Sequence, residues 1–229
     1  MTAEKPRSML AIDTIGGAGA MVFVKDESIE VVEWDMNVSH TIQLPKAIGQ
    51  FTSFSIDDVQ GICVSAGPGG FSSIRTGLAF AKGLCAARGI SMVVVSSLEA
   101  LALAKPLEGP VTVLCSAGRG TVCFQSFVVA DCEARPLNKP TIGSESDIHM
   151  HLRQERYSVV AGDDQVIVDC GSSLDQNSVL RPSLEERVLS VCRIGQSRFI
   201  YGKSDAWIEA EPIYLRPVDV TKPRSGWSA

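Results

Sequence analysis

Met9–Lys25 reads MLAIDTIGGAGAMVFVK, and Val111–Val129 reads VTVLCSAGRGTVCFQSFVV. Each is an apolar run, a glycine-rich turn and a second apolar run, the pattern of two strands joined by a hairpin. The unit recurs once in each half of the chain, which marks an internal duplication. Around the first copy, IEVVEWD at Ile29–Asp35 adds a third strand, so an antiparallel meander opens the chain. PKAIGQFTSF at Pro45–Phe54 then predicts a helix with Pro45 at its start, where a missing N–H costs nothing. GICVSA at Gly61–Ala66 is a continuous apolar run, as in a strand buried on both faces. A helix from the glycine-rich stretch to a C-cap at Gly89, a strand in SMVVVSS and a helix in LEALALAK complete the half.

The order βββαβαβα resembles a ribonuclease-H-like core, and two such units in tandem describe the actin-like fold of sugar kinases, Hsp70-type chaperones and actin. The predicted class is therefore α/β. One unit spans residues 1–105 and a degenerate second spans 106–229. In the second, helices are predicted at SDIHMHLRQ and SLEERVLSVCRIGQ, a strand at YSVVAG, and an extended tail at EPIYLRPVDVTKP.

SAGPGGFSSIRTG, Ser65–Gly77, lies between the fourth strand and the following helix. Glycine turns that lead into helices often hold phosphate. A P-loop, however, needs G-x4-G-K-[ST], and no Gly-Lys-Ser/Thr stands at that spacing from Gly69 or Gly70. A dinucleotide fingerprint begun at Gly67 and Gly69 breaks at Ser72. An actin-like ATPase holds its phosphates on the two hairpins, each usually with an aspartate. Asp13 stands in the first, whereas Ser116-Ala117-Gly118 in the second has no carboxylate. One carboxylate is too few to place a hydrated Mg2+, and a two-metal nuclease fails on the same count. For Asp13 two readings stand side by side: a cap on its own glycine turn, or, with Thr14, residual contact to nucleotide or Mg2+. There is no G-x-S-x-G elbow, and Ser72 and Ser73 are expected to cap the helix.

On a helical wheel of about 100° per residue, Ile74, Leu78, Ala81 and Cys85 form one stripe. A surface helix would be charged on the other side. Here that side carries Thr76, Ala79, Phe80, Gly83, Ala86 and Ala87, with Arg75 and Lys82 confined to a flank. A helix that is small and apolar on both sides is buried on both, either between the two units or against a partner chain.

Composition narrows the function classes. The 229 residues are 45% hydrophobic with a net charge of −5, a poor balance for a stand-alone nucleic-acid binder. The 7 cysteines form no CxxC pair and sit mostly in apolar runs, as reduced thiols of a cytosolic protein do. Neither a signal peptide nor a membrane span is expected. The His149–His151 stretch lacks a nearby Cys or carboxylate at metal-ligand spacing.

GPGGFSSIRTGLAFAKGLC at Gly67–Cys85 resembles the hallmark GPGSFTGLRIGLA segment of the bacterial TsaB (YeaZ) family, with Gly67, Pro68, Gly69, Phe71, Arg75, Gly77, Leu78 and Ala79 matching. LAIDT, SHTIQLP (His40, Leu44, Pro45), VVVSSLEALA and EPIYLRP (Pro212, Tyr214, Leu215, Arg216) resemble further family segments in the same order. The resemblance implies a non-catalytic partner of TsaD, the subunit that transfers threonylcarbamoyl to adenosine 37 of tRNA. It also implies a TsaE-type ATPase as third member, homodimers when the partner is absent, only indirect contact with tRNA, and a cytoplasmic location. Gly67, Pro68, Gly69, Phe71, Arg75, Thr76, Gly77, Ala79, Phe80, Gly83 and Ala87 are then the expected partner interface. No cofactor is expected, and ATP, ADP or Mg2+ contact is confined to the complex. The metal-binding His-x-x-x-His of TsaD corresponds to Ser97 and Leu101, so that site is lost. The chain departs from the family at Ser73, where a glycine is usual, at Ile15, and at Ser116-Ala117-Gly118 with Arg119, where Asp-Ala-Arg is usual. A small-molecule kinase or ATPase of the same fold is the alternative, and a stand-alone peptidase has no nucleophile to support it.

Overall fold

The computed structural model describes residues 8–35, 37–118, 121–154, 158–161, 179–204 and 206–215. Arg119, Cys170 and Arg216 lie outside them. β1 (Ser8–Asp13), β2 (Gly19–Lys25) and β3 (Ser28–Trp34) form the antiparallel meander. β4 (Gly61–Ser65) and β5 (Met92–Val95) join β1 in parallel, giving a five-stranded sheet of order β3-β2-β1-β4-β5. The helices are α1 (His40–Ile48), α2 (Phe71–Arg88) and α3 (Ser97–Ala102).

The second sheet repeats the plan. β6 (Gly109–Gly118) and β7 (Thr121–Ala130) form the second hairpin, and β8 (Glu133–Pro136) continues it. β10 (Ser158–Ala161) and β11 (Val179–Leu180) add in parallel beyond β6, and β9 (Thr141–Gly143) pairs with β7. The order β8-β7-β6-β10-β11 matches β3-β2-β1-β4-β5 strand for strand. Among the described residues this half also has helices α4 (Glu145–Gln154) and α5 (Leu184–Ile200).

β1 is buried on both faces, so its alternating side chains enter two cores. Leu10 and Ile12 join Met21, Phe23, Ile62, Leu78, Ala81 and Cys85 beneath α2. Met9 and Ala11 join Val22, Cys63, Val93, Val188, Val191 and Cys192 beneath α5. Thus a helix from the stretch 106–229 covers the sheet built by residues 8–95. Two close contacts seat it. A Cβ on Gly195 would lie 1.9 Å from Cys63 Sγ, and one on Gly61 would lie 2.8 Å from the Phe199 ring. Arg198 fastens the end of α5, donating to both Glu99 carboxylate oxygens (2.9 and 2.6 Å) and to the Val94 carbonyl (2.8 Å). Burial pushes the Cys63 thiol well above its usual range and the Cys85 thiol up to about 11, so both stay protonated and unreactive.

The first helix corrects the sequence reading. It starts at His40, five residues before Pro45, because the Ser39 hydroxyl accepts from Thr41 N–H (3.3 Å) and caps it. Pro45 is accommodated inside a short helix that ends at Gly49. Phe51 and Phe54, expected in the helix, instead pack on Phe23 with centroids 5.8 and 4.6 Å away. The Gly89 cap is as expected, at φ 66° in the left-handed region.

Gly195→Val forces atoms into Cys63 and is expected to cost about 1–3 kcal/mol in urea unfolding. Adding Cys63→Ala should return part of that loss, and strictly additive effects would contradict the contact. At the start of α5, the Lys105 ammonium and then the Ser183 N–H hold the Glu186 carboxyl below its ordinary 4.5. A depressed carboxylate contributes stability above its unfolded-state pKa and loses it as pH falls through the folded-state value. Glu186→Gln is therefore expected to flatten the acid limb of a stability-versus-pH curve and leave its neutral slope unchanged.

Candidate functional site

The glycine stretch is a junction, and its glycines serve the chain itself. Gly67 has φ +104°, and a Cβ there would lie 2.7 Å from the Ile213 carbonyl. Its own carbonyl accepts from Ser97 N–H (2.8 Å), while Ala66 O accepts from Ile213 N–H (2.7 Å). A Cβ on Gly69 would lie 2.8 Å from Ile15 Cγ2, and one on Gly77 2.3 Å from Thr14 Oγ1. That hydroxyl donates to Ser73 O (2.8 Å), and Ser73 Oγ donates to Gly16 O (2.9 Å). Gly67, Pro68 and Gly77, three of the residues expected at a partner interface, are buried within the chain itself. Ser72 and Ser73 do not cap α2 either. Gly70 holds the cap position without a side-chain bond, and Ser73 instead ties α2 to the first hairpin.

Exposed Arg75 and half-buried Phe71 contact the C-terminal segment of the chain. Arg75 Nε donates to Tyr214 Oη (2.7 Å), and its guanidinium lies 5.5 Å from the centroids of both the Phe71 and Tyr214 rings. The two rings are 4.8 Å apart. Lys82 Nζ donates to Ile208 O (3.3 Å), and Ala210 is buried in the core under α2. The segment from Trp207 to Tyr214 is thereby laced along one flank of α2.

What remains open on α2 is a strip of small side chains. Ala79, Gly83, Ala86 and Ala87 are exposed, and Thr76 and Phe80 are half-buried beside them. A Cβ added at Gly83 would meet nothing within 4 Å. α1 packs against α2 and exposes Ile42 at 51%. Of the expected interface residues, Thr76, Ala79, Phe80, Gly83 and Ala87 lie on this accessible surface, with half-buried Gly69 at its edge.

The first hairpin is closed by charge. Asp13 Oδ1 accepts from Ile15 N–H (3.0 Å) and Ser65 Oγ (2.6 Å). Oδ2 accepts from Arg187 Nη2 (2.7 Å), which also donates to Ile15 O (2.6 Å). The side chains of Arg187 and Asp13 are only 9% and 4% exposed. The turn-cap reading of Asp13 is thus present in the geometry, with an ion pair added to it. Nearby, Trp34 Nε1–H donates to His40 Nδ1 (2.9 Å). Indole only donates, so the ring proton of neutral His40 belongs on Nε2, 3.4 Å from Gly16 O. Mg2+-nucleotide, as the fold implies, does not fit these residues. Asp13 is already engaged by three donors, Thr14 is packed on Gly77, and Ser116 and Ala117 stand on the second hairpin. Among the described residues no three His, Cys, Asp or Glu side chains group to hold a metal ion. In the His149–His151 stretch, His151 Nε2 pairs with Ser126 Oγ (2.9 Å), which in turn pairs with Thr112 Oγ1 (3.0 Å).

Sequence reasoning missed Arg187, which lies 174 residues from Asp13 and inside a helix of unremarkable polarity. It missed the pairing of Tyr214 with Arg75 as well, although both stand in family-like segments.

The family model for TsaD, tRNA N6-adenosine threonylcarbamoyltransferase, matches residues 36–141. A curated relative, tRNA threonylcarbamoyladenosine biosynthesis protein TsaB of Escherichia coli (strain K12), is 26% identical over 226 residues, covering 91% of this chain and 94% of the relative. YeaZ from Pseudomonas aeruginosa is 18% identical, with a TM-score of 0.75 over 91% of this chain and 99% of that one. The structure of an uncharacterized protein with similarity to peptidase YeaZ from Pseudomonas aeruginosa gives a TM-score of 0.76 at 18% identity over the same shares. At such identity the two structures bear on fold, which is the actin-like α/β duplication.

Tyr214→Ala removes both the phenol that Arg75 bonds and the ring beside it. The expected cost is about 1 kcal/mol, with faster hydrogen exchange at the Ile213 amide. An Ile213 amide as protected as in wild type would mean that the tail is held by other contacts.

Proposed function

The chain belongs to the TsaB/YeaZ family, with a role in threonylcarbamoyladenosine biosynthesis in tRNA, and on that premise we propose that it is a non-catalytic subunit that binds and stabilises a TsaD-type catalytic subunit. The observation that carries the reading is the open strip Ala79-Gly83-Ala86 on α2, flanked by half-buried Phe80 and by α1. Small side chains let a second helix approach closely, and Gly83 has free space above it. A stable interface needs about 1,000 Å2 or more of buried surface, an area that asks for α1 and its exposed Ile42 in addition to the strip. In this reading the unit of residues 1–105 meets the partner, and the unit of 106–229 supports it.

The same face closes on a second copy when the partner is absent. A TsaE-type ATPase joins as third member, tRNA is reached only through the complex, and the work is done in the cytoplasm. Among the described residues no helix is long and apolar enough to cross a membrane. The rival reading, a kinase or ATPase, asks for a second carboxylate where Ser116 and Ala117 stand.

Ala79→Arg and Gly83→Arg each place a long cation on the strip without touching the core. Both are expected to keep the wild-type melting temperature and to weaken co-purification with the TsaD-type protein of the same cell by about tenfold or more, equivalent to roughly 1.4 kcal/mol. Lys139→Glu, on the second unit, serves as control and should bind as wild type. Wild-type binding by both α2 variants would remove this helix from the interface.

A further inference from the structure

We propose that Arg187 is the resident cation of the first hairpin, a guanidinium held at the one carboxylate that a divalent ion would need. The inference concerns the chemistry of the hairpin and is independent of which partner α2 meets.

Buried charges persist when they are paired and their remaining donors and acceptors are satisfied. Both conditions are met here. Arg187 Nη2 bridges Asp13 Oδ2 and the Ile15 carbonyl, so one nitrogen ties the carboxylate to the backbone two residues on, at the start of the turn. The other carboxylate oxygen is taken by the Ile15 amide and by Ser65. A planar, permanently charged fork suits such a position better than a flexible ammonium. Together these contacts supply the positive charge at Asp13 and the rigid turn geometry that a bound cation would otherwise supply.

The substitution is permanent in design, because Arg187 cannot swing away by itself. Its helix is capped by Ser183 and Glu186, with Glu186 paired to Lys105. Val188 and Val191 are fully buried on the first sheet, Gly195 sits on Cys63, and Arg198 grips Glu99. Freeing Asp13 would mean lifting all of α5. A divalent ion approaching Asp13 would also meet the repulsion of a guanidinium 2.7 Å from the carboxylate.

The test is thermal unfolding, with Mg2+ alone and Mg2+ with ATP as probes, on wild type, Asp13→Asn, Arg187→Met, Arg187→Lys and the Asp13→Asn/Arg187→Met pair. The expected result is a wild type unmoved by either probe. Arg187→Met should melt lower, because it leaves the Asp13 carboxylate buried without its cation, and the added Asp13→Asn should return part of that loss. The double variant should be more stable than the sum of the single losses, by about tenfold or more in the unfolding constant. Should Arg187→Met not fold, wild type and Arg187→Lys decide: both indifferent to Mg2+ supports the proposal, and stabilisation of either by Mg2+ overturns it. It is also overturned if wild type binds Mg2+·ATP in calorimetry and Asp13→Asn loses that binding, or if the two substitutions are additive.

Discussion

The rest of the molecule depends on the need to cover β1 on both faces. Its residues alternate between two cores, and the core on one side is covered by a helix from the far end of the chain. Met9, Ala11, Val22 and Val93 are all fully buried only because Val188, Val191 and Cys192 arrive from α5. A large apolar side chain of this kind contributes roughly 1.5–3 kcal/mol when removed from water. That gain keeps α5 on the first sheet. The close seat of Gly195 on Cys63, the Arg198–Glu99 pair and the Arg187–Asp13 pair all follow from its placement.

α2 meets a related demand on the opposite face. Its stripe of Ile74, Leu78, Ala81 and Cys85 is buried against the sheet, one flank is laced by residues 207–214, and Ala79, Gly83, Ala86 and Ala87 stay open together with Ser72, Arg75 and Arg88. Two glycines six positions apart therefore do opposite things. Gly77 admits the Thr14 hydroxyl, while Gly83 admits nothing from its own chain. Arg75, itself exposed, is held by the Tyr214 hydroxyl beside this surface.

Much of this was legible in the residues. The repeated hairpin predicts the matched strand orders of the two sheets, because alternation and glycine turns are local signals. The wheel correctly placed the buried stripe of α2, and the Gly89 cap followed from its position. The failures have a common physical origin. The helix expected to start at Pro45 starts at His40, because the Ser39 cap outweighs the single bond lost at proline. Nothing in the sequence showed that Gly67 and Gly77 are fitted against Ile213 and Thr14, residues far away in sequence. Arg187 carried no local signal and the family-like segment around Tyr214 gave none of its partner, since both partners lie in elements whose proximity only the packing decides.

The location of α5 has a consequence for how the chain is made. Synthesis runs from the N-terminus, so all five strands of the first sheet emerge long before residues 184–200 exist to cover them. During that interval one face of the sheet, with Met9, Val22 and Val93, presents an apolar surface to the surrounding solution. The first unit thus cannot reach its final state as an independent module, and its completion waits for the last fifth of the chain. An extended chain stalled before α5 would carry an uncovered sheet with β3 at its edge, the kind of surface that recruits chaperones or pairs with its neighbours.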